Sequence, residues 1–583
     1  MRGKTLDKVH TRHSSNLWFA RITVYNLSHT NCVKDNARAL GKSAAALAAI
    51  GIIAKLIGAL YRVPLTNIIG AEGMGLYQMV FPLYTVLLAF CGGGITSAVA
   101  RVVAKYVALG DDVTARRTLR VALVPLAITA AACTVAVALL RNVISSVQGN
   151  TDAGIAYLAI CPSLLFACVI GVLRGYFQGK AQALPSGISQ LIEQVIKLAL
   201  GLYLGKLLLP YGVKYAVAGA LLGVSASELA ALIYLSVRFI VMRKRRVKTV
   251  FRVAAANAEA SAELAPRTAN APSDRELMKE LYSFALPVTL GALVLPATQM
   301  IDSVLVINLL MHGGTGRADA TALFGLFVGP VGTLINMPTV VVLSVAIAFL
   351  PALTSAVARG EDVGEKVRTA IKWIMLFVLP VTFAFLLFPD RVCSALYSRG
   401  LTAAQLDWAA RLLRVQALGV LYAGVLQLCT TVLQAYNKAH RPVINLVIGA
   451  CVKVALTPAL VRAFGIIGAS GATTACYAVA ATLTARSAYK CAPIAASVKN
   501  ALLLPLAFSL AGCAAFYGTV QTLSVLAPSM PTLWQSIIGA ATFMLSYAAG
   551  IIGTGALDVR AAASALKKGR RASEKSEQKS DKS

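Results

Sequence analysis

Fourteen runs of about twenty predominantly apolar residues divide this chain, near 44–66, 74–99, 121–140, 153–173, 188–208, 215–237 and 282–310, then near 323–350, 370–388, 412–433, 442–461, 467–485, 500–518 and 533–556. A helix rising about 1.5 Å per residue needs a run of that length to cross a hydrocarbon layer roughly 30 Å thick. Backbone N–H and C=O groups find no water in that layer, so each run must satisfy them internally, which a single helix does. Composition agrees, with 57% hydrophobic and 14% charged residues among 583, against roughly 25% charged in soluble domains. An ordinary soluble enzyme is excluded. The pattern predicts an all-α polytopic membrane protein with about fourteen transmembrane helices.

The net charge of +31 would suggest nucleic acid as a partner in a soluble chain. Its placement gives it another meaning. Of the 55 lysines and arginines, 42 fall in the two tails and the even-numbered loops and 9 in the odd-numbered loops, a bias that places both termini in the cytoplasm. The charge is therefore topological and no nucleic-acid partner is expected. The cluster "RFIVMRKRR" at 238–246 also suits anionic lipid heads. The first 40 residues are basic but lack the apolar core and cleavage site of a signal peptide.

Chemistry-bearing motifs are sparse. The cysteines show no CxxC spacing, the five histidines lie outside the spans without HExxH, and "LGKS" at 40–43 has Asn36 where a phosphate-binding loop needs glycine. Neither a metal site, nor a cofactor, nor catalysis is expected.

A repeat carries more information. "LGDDV" at 109–113 matches "RGEDV" at 359–363, offset by 250 residues; "LRGYFQGKAQALPSGISQLIEQVIKLAL" from Leu173 matches "LQAYNKAHRPVINLVIGACVKVAL" from Leu433, with an offset drifting from 260 to 256. Both matches pair one span with the sixth after it, which preserves orientation. The chain is expected to hold two six-helix lobes related by a parallel repeat, with two further helices. The organisation expected is a basic cytoplasmic extension at 1–40, an N-lobe at 41–240, a linker at 241–280, a C-lobe at 281–490, helices 13 and 14 at 491–557, and a polar tail at 558–583.

Seven charges fall inside the spans: Lys55, Arg62, Glu193, Lys197, Glu228, Asp302 and Lys453. Left unpaired and dry they would cost on the order of 20 kcal/mol together, at about 3 kcal/mol each. Lys55 and Arg62, seven residues apart on one helix face, make a cationic stripe with Gly58 between them. Either this stripe meets an anionic substrate, or Lys55 pairs with Glu228 or Asp302 while Arg62 reaches the interface. Glu193 and Lys197, four apart, are placed to neutralise each other. Lys197 matches Lys453 in the repeat, where Gly449 replaces the carboxylate, so the two lysines are candidates to face a central cavity from opposite sides. Asp302, with Gln299 one turn earlier, suits a cation, a proton or a lysine partner. Glycines and prolines within spans, Gly92 to Gly94 and Pro330 among them, offer bends or packing contacts.

Three stretches carry a family resemblance: "KLIGALYRVPLTNIIGAEGMGLYQMVFPLY" at 55–84, "LRGYFQGKAQALPSGISQLIEQVIKL" at 173–198 and "NMPTVVVLSVAIAFLPAL" at 336–353. They resemble the stage V sporulation protein B group of polysaccharide transporters, in the multidrug/oligosaccharidyl-lipid/polysaccharide exporter superfamily that also holds lipid II flippases. The resemblance spans roughly 40 to 555, leaving the basic extension outside it. It implies two lobes that open a central cavity alternately to each side of a bacterial plasma membrane. The implied cargo is an undecaprenyl-diphosphate-linked saccharide, most simply lipid II, with a first-helix cation, here Arg62 in "ALYRVPL", on the diphosphate. Membrane lipids, Na⁺ or H⁺ as a coupling ion and cell-wall synthesis proteins are the partners implied. A cation-coupled multidrug exporter and a non-transporting scaffold are the competing readings. Four bases against three acids inside the spans favour an anionic cargo.

Overall fold

The structure, a computed structural model, describes residues 7–92, 94–256, 272–492 and 498–553. The expectations placed on the side chains of the basic extension, on linker residues 257–271 and on the tail at 558–583 fall outside the described residues.

The helices in chain order are α1 (Asp7–Gly92), α2 (Ile95–Ala108), α3 (Asp112–Val147), α4 (Ala153–Gly179), α5 (Ala183–Leu208), α6 (Val213–Ala256), α7 (Asp274–His312), α8 (Arg317–Leu326), α9 (Gly332–Ala358), α10 (Gly364–Leu387), α11 (Pro389–Tyr397), α12 (Ala403–Ala435), α13 (His440–Phe464), α14 (Ile466–Tyr489), α15 (Val498–Leu526) and α16 (Thr532–Gly553). Twelve helical stretches among the described residues are long and apolar enough to cross a membrane. The first of them, Ala49–Ala108, holds 60 residues, about 90 Å of helix and three times the hydrocarbon thickness. It supplies two crossings because the chain turns back at Gly70, whose φ of 70° and ψ of −171° are open to glycine and strained for other residues. The remaining crossing is α5, kept out of the twelve by Glu193, Gln194 and Lys197, the polar residues that make it interesting. The fourteen expected spans are thereby accounted for. Span 8 is built from α8 and α9 joined by a π-helical turn at Phe327–Val331, where Pro330 has no N–H to offer an α-helical ladder.

The two halves pack alike. In the first, the limb of α1 before Gly70 lies on α5, α5 on α6 and α4 on α6; in the second, α7 lies on α13, α13 on α14 and α12 on α14. The backbone repeats with them. Residues with positive φ occur at Gly70, Gly110, Ala181 and Gly212, and again at matching turns at Gly314, Gly360, Asn437 and Gly465; Gly149 is a ninth, without a counterpart among the described residues. Helices α15 and α16 pack on each other, and α15 also packs on α10.

At one end of the bundle the halves meet backbone to backbone. A Cβ on Gly75 would stand 2.1 Å from the carbonyl oxygen of Thr321, and one on Gly325 would stand 2.1 Å from that of Ala71. No side chain larger than hydrogen fits either position. Around this crossing Asn67 donates to the carbonyl of Leu396 at 2.8 Å, Asn150 to Thr321 at 3.0 Å and Gln78 to the carbonyl of Val328 at 3.2 Å. The opposite end carries the basic loops. There the halves are joined along α2, α3 and α7, where Lys105 pairs with Glu280 at 2.8 Å and the Gly94 N–H donates to Thr289 at 3.0 Å.

Ala181 is the one left-handed residue in these turns, at φ 59°, that is neither glycine nor asparagine. A left-handed L-residue costs about 1–2 kcal/mol, while glycine adds up to about 1 kcal/mol of chain entropy. Ala181→Gly is therefore expected to stabilise the protein by about 0.5–1 kcal/mol. Thermal unfolding in detergent would register this as a raised midpoint, and a lowered midpoint would contradict the strain assignment.

Candidate functional site

Arg62, Gln299, Asp302 and Lys453 come together at one cavity of about 100 Å³, with Gln78, Asn336, Gln416 and Tyr477 also in its wall. Five helices of the second half, α7, α9, α12, α13 and α14, contribute to it, and Arg62 and Gln78 reach it from the two limbs of α1. The cavity thus lies between the halves, beside the glycine crossing that closes one end.

Its charges are unequal. The Lys453 ammonium donates to the Asp302 carboxylate, and their side chains are only 8% and 7% exposed. This ion pair links α13 to α7 within the apolar second half. The helix geometry dictates the partner: a Cβ on Gly449 would meet the Cys476 carbonyl oxygen at 2.7 Å, so α13 packs too closely on α14 to carry a carboxylate one turn before Lys453. Asp302, open to a cation, a proton or a lysine from the sequence, is taken by the lysine. Arg62 has no anionic partner among the described residues; its guanidinium lies 5.7 Å from the Phe81 ring. The cavity wall therefore carries two cations and one anion.

The remaining intramembrane charges gather inside the first half. Glu193 does not pair with Lys197, as the i,i+4 spacing suggested. It accepts from Arg174 at 3.0 Å and from Gln194 at 3.1 Å, while Arg174 also donates to Ser189 at 2.9 Å. The reason is that α4 runs on to Gly179, past the expected end of its span, and carries Arg174 into the seam with α5. A planar guanidinium then serves the carboxylate and the hydroxyl at once, which a lysine on the same helix cannot do. Arg174 was missed because it was assigned to a loop.

Glu228 is 5% exposed and accepts from the Tyr84 hydroxyl, so it is not the partner of Lys55. Lys197 lies 5.8 Å from the Tyr61 ring, its ammonium turned toward Gly58, and it does not line the cavity between the halves. Of the two lysines expected to face each other there, only Lys453 lines this cavity. Lys55 is exposed and makes no ion pair among the described residues. Buried side-chain polar atoms without a partner among the described residues are the Tyr61 hydroxyl, the Asn67 and Gln194 amide oxygens and one Glu228 oxygen in this half, and the Thr333 hydroxyl in the second. Tyr84, Gln78 and Gln416 join the two sites unannounced; polar side chains within apolar runs were the signal available for them.

Residues 40–357 match the family described as "Polysaccharide biosynthesis protein", and residues 287–459 match the family MatE. The chain is 28% identical over 463 residues to stage V sporulation protein B of Bacillus subtilis (strain 168), covering 78% of this chain and 84% of the relative. It is 23% identical over 438 residues to the lipid II flippase MurJ of the same organism, covering 72% and 77%. Among solved structures, lipid II flippase MurJ in an inward closed conformation aligns with a TM-score of 0.65 at 13% identity, covering 86% of this chain and 97% of that one. An inward-facing multidrug resistance MATE family transporter of the MOP superfamily aligns with a TM-score of 0.60 at 14% identity, covering 77% and 96%. These structures share the two-lobe fold.

The Lys453–Asp302 pair yields a stability test. Removing one partner of a buried pair strands the other charge, at a cost of about 3–5 kcal/mol, whereas replacing both by apolar residues is close to neutral. Lys453→Met is expected to lower the unfolding midpoint sharply, and Lys453→Met with Asp302→Leu to recover most of the loss. A double variant no more stable than the single one would contradict a closed pair.

Proposed function

Since this chain belongs to the polysaccharide biosynthesis protein family, of the MOP superfamily of membrane transporters, we propose that it translocates an undecaprenyl-diphosphate-linked saccharide, lipid II in the first instance, from the inner to the outer leaflet. It is a multi-pass membrane transporter and not an enzyme. The observation that carries the cargo reading is Arg62: an intramembrane guanidinium without an anionic partner among the described residues, at a cavity between the halves whose own carboxylate is already neutralised.

The chemistry of the cargo matches this arrangement in three parts. A diphosphate leaving water needs a fixed cation, and guanidinium donates two parallel hydrogen bonds to phosphate oxygens. A saccharide needs amide and hydroxyl partners, which Gln78, Gln299, Asn336 and Gln416 offer in the same wall. A polyprenyl tail needs only hydrocarbon and can stay in the bilayer while the head crosses. A drug exporter taking organic cations would call for a free carboxylate, and the one in the cavity wall is held by Lys453.

Positive charge in the loops at the end away from the glycine crossing supports placing that end in the cytoplasm. The crossing at Gly75 and Gly325 then faces outward, and the halves also touch at the basic end, where a Cβ on Gly94 would stand 2.1 Å from the Ala285 carbonyl oxygen. Translocation would part these two contacts in alternation, the Gly94–Ala285 contact for loading and the Gly75–Gly325 contact for release.

The test is lipid II translocation in proteoliposomes, comparing wild type, Arg62→Ala and Arg62→Glu at equal folded protein against empty vesicles. Loss of a charge-assisted hydrogen bond worth about 1.5–3 kcal/mol predicts roughly a 10- to 100-fold fall for Arg62→Ala, and a still lower rate for Arg62→Glu. Wild-type movement unaffected by either change would remove Arg62 from the cargo site. No movement above background, with or without ion gradients, would remove lipid II as cargo.

A further inference from the structure

A second and larger cavity, of about 620 Å³, opens in the far flank of the second half between α10, α12 and α14. Its origin can be read from the repeat. Setting Gly212 against Gly465, the left-handed residues that precede α6 and α14, places Leu232, Leu235 and Phe239 opposite Ala485, Ala488 and Ala492. In the first half those three large side chains fill the seam between α4 and α6 together with Ile170, Leu173 and Phe177, and Phe239 meets the Tyr176 ring edge-on at 5.5 Å. In the second half three alanines leave the same seam hollow. A void of this size between packed helices would forfeit dispersion contacts if empty, so an occupant is called for.

Three features identify it. The lining is almost wholly apolar, with one cation, Arg486, and no acid. The groove runs from Ala481 to Ala492 on α14 and from Leu421 to Val432 on α12, about 16 Å of rise, close to half the roughly 30 Å hydrocarbon core. All three helices contribute the half nearest the basic loops, so the groove lies within one leaflet. Arg486 stands in the last turn of α14, has no anionic partner among the described residues, and replaces Ile233 of the first half. Lys490, exposed, follows one turn later.

We propose that this groove binds one anionic phospholipid, its acyl chain replacing the side chains that the first half supplies and its phosphate on Arg486. The site is separate from the cavity of Arg62 and Lys453 and does not rest on the cargo reading. It makes the second half dependent on a lipid for packing that the first half achieves with its own residues.

The test uses the purified full chain, delipidated in non-ionic detergent and incubated with phosphatidylglycerol or phosphatidylcholine, with retained lipid counted by native mass spectrometry. Wild type is expected to retain one phosphatidylglycerol in preference to phosphatidylcholine, and Arg486→Ile to lose that preference, a fall of roughly fivefold. The variant Ala485→Leu/Ala488→Leu/Ala492→Phe, which restores the first-half residues, should retain neither lipid at this site. Equal retention of the two lipids by wild type, or unchanged selectivity in Arg486→Ile, would overturn the proposal even if the triple variant failed to fold. Displacement of the retained phosphatidylglycerol by equimolar lipid II would also overturn it, assigning the groove to the cargo instead.

Discussion

Charge inside hydrocarbon is the constraint that orders this molecule. Each intramembrane carboxylate is engaged: Glu193 by Arg174, Glu228 by Tyr84 and Asp302 by Lys453. Each engagement joins different helices, so burial of charge also fastens α4 to α5, α1 to α6 and α7 to α13. With the acids taken, the bases Lys55, Arg62 and Lys197 have no ion pair among the described residues. An apolar bundle that engages its acids and retains surplus cations suits the anionic cargo proposed above. The surplus is located as well as counted, because Arg62 alone of these three reaches the cavity between the halves.

The glycine crossing complements this electrostatic arrangement. Backbone contact at Gly75 and Gly325 brings α1 and α8 closer than any side chain would permit, and small residues are how helices approach in lipid, where no hydrophobic force drives them together. Such a contact adds neither charge nor bulk, and parting it also breaks the hydrogen bonds that Asn67, Asn150 and Gln78 make across the halves. The π turn at Phe327–Val331 follows directly on α8, so the element that forms the contact also carries a local irregularity into the cavity wall. The close contact and part of the cavity wall consequently belong to one span.

Most of the architecture was legible because membrane helices announce themselves by length and hydropathy. The parallel repeat was legible from turn motifs such as "LGDDV" and "RGEDV", whose Gly110 and Gly360 adopt the same left-handed backbone. Side-chain partners were not. Spacing along one helix proposes Glu193 with Lys197, but a carboxylate takes its best donor from any helix within reach, and helix ends are uncertain by about a turn. Since Arg174 sits in that uncertain turn, the pairing changed with the boundary. Lys453 and Asp302, separated by 151 positions, carry no local signal, and only the missing carboxylate at Gly449 indicated that a distant acid was needed.

The two halves began from one plan and have diverged in a coordinated way. Where the first half has Arg174 and Glu193, the second has Gln434 and Gly449 at the matching positions, so both members of that pair are absent together and neither charge is stranded. Losing the carboxylate let α13 close on α14 at Gly449 and left Lys453 to find Asp302 on α7, which turns a charge contained within one lobe into one at its inner face. The hollow at Ala485, Ala488 and Ala492 is the same process at the opposite face, where loss of bulk was accompanied by gain of Arg486. In the first half the repeat spends its polar groups on internal cohesion. In the second it presents them to the cavity and to the flank proposed to hold lipid, and the asymmetry between the halves follows from substitutions on a repeated helical plan.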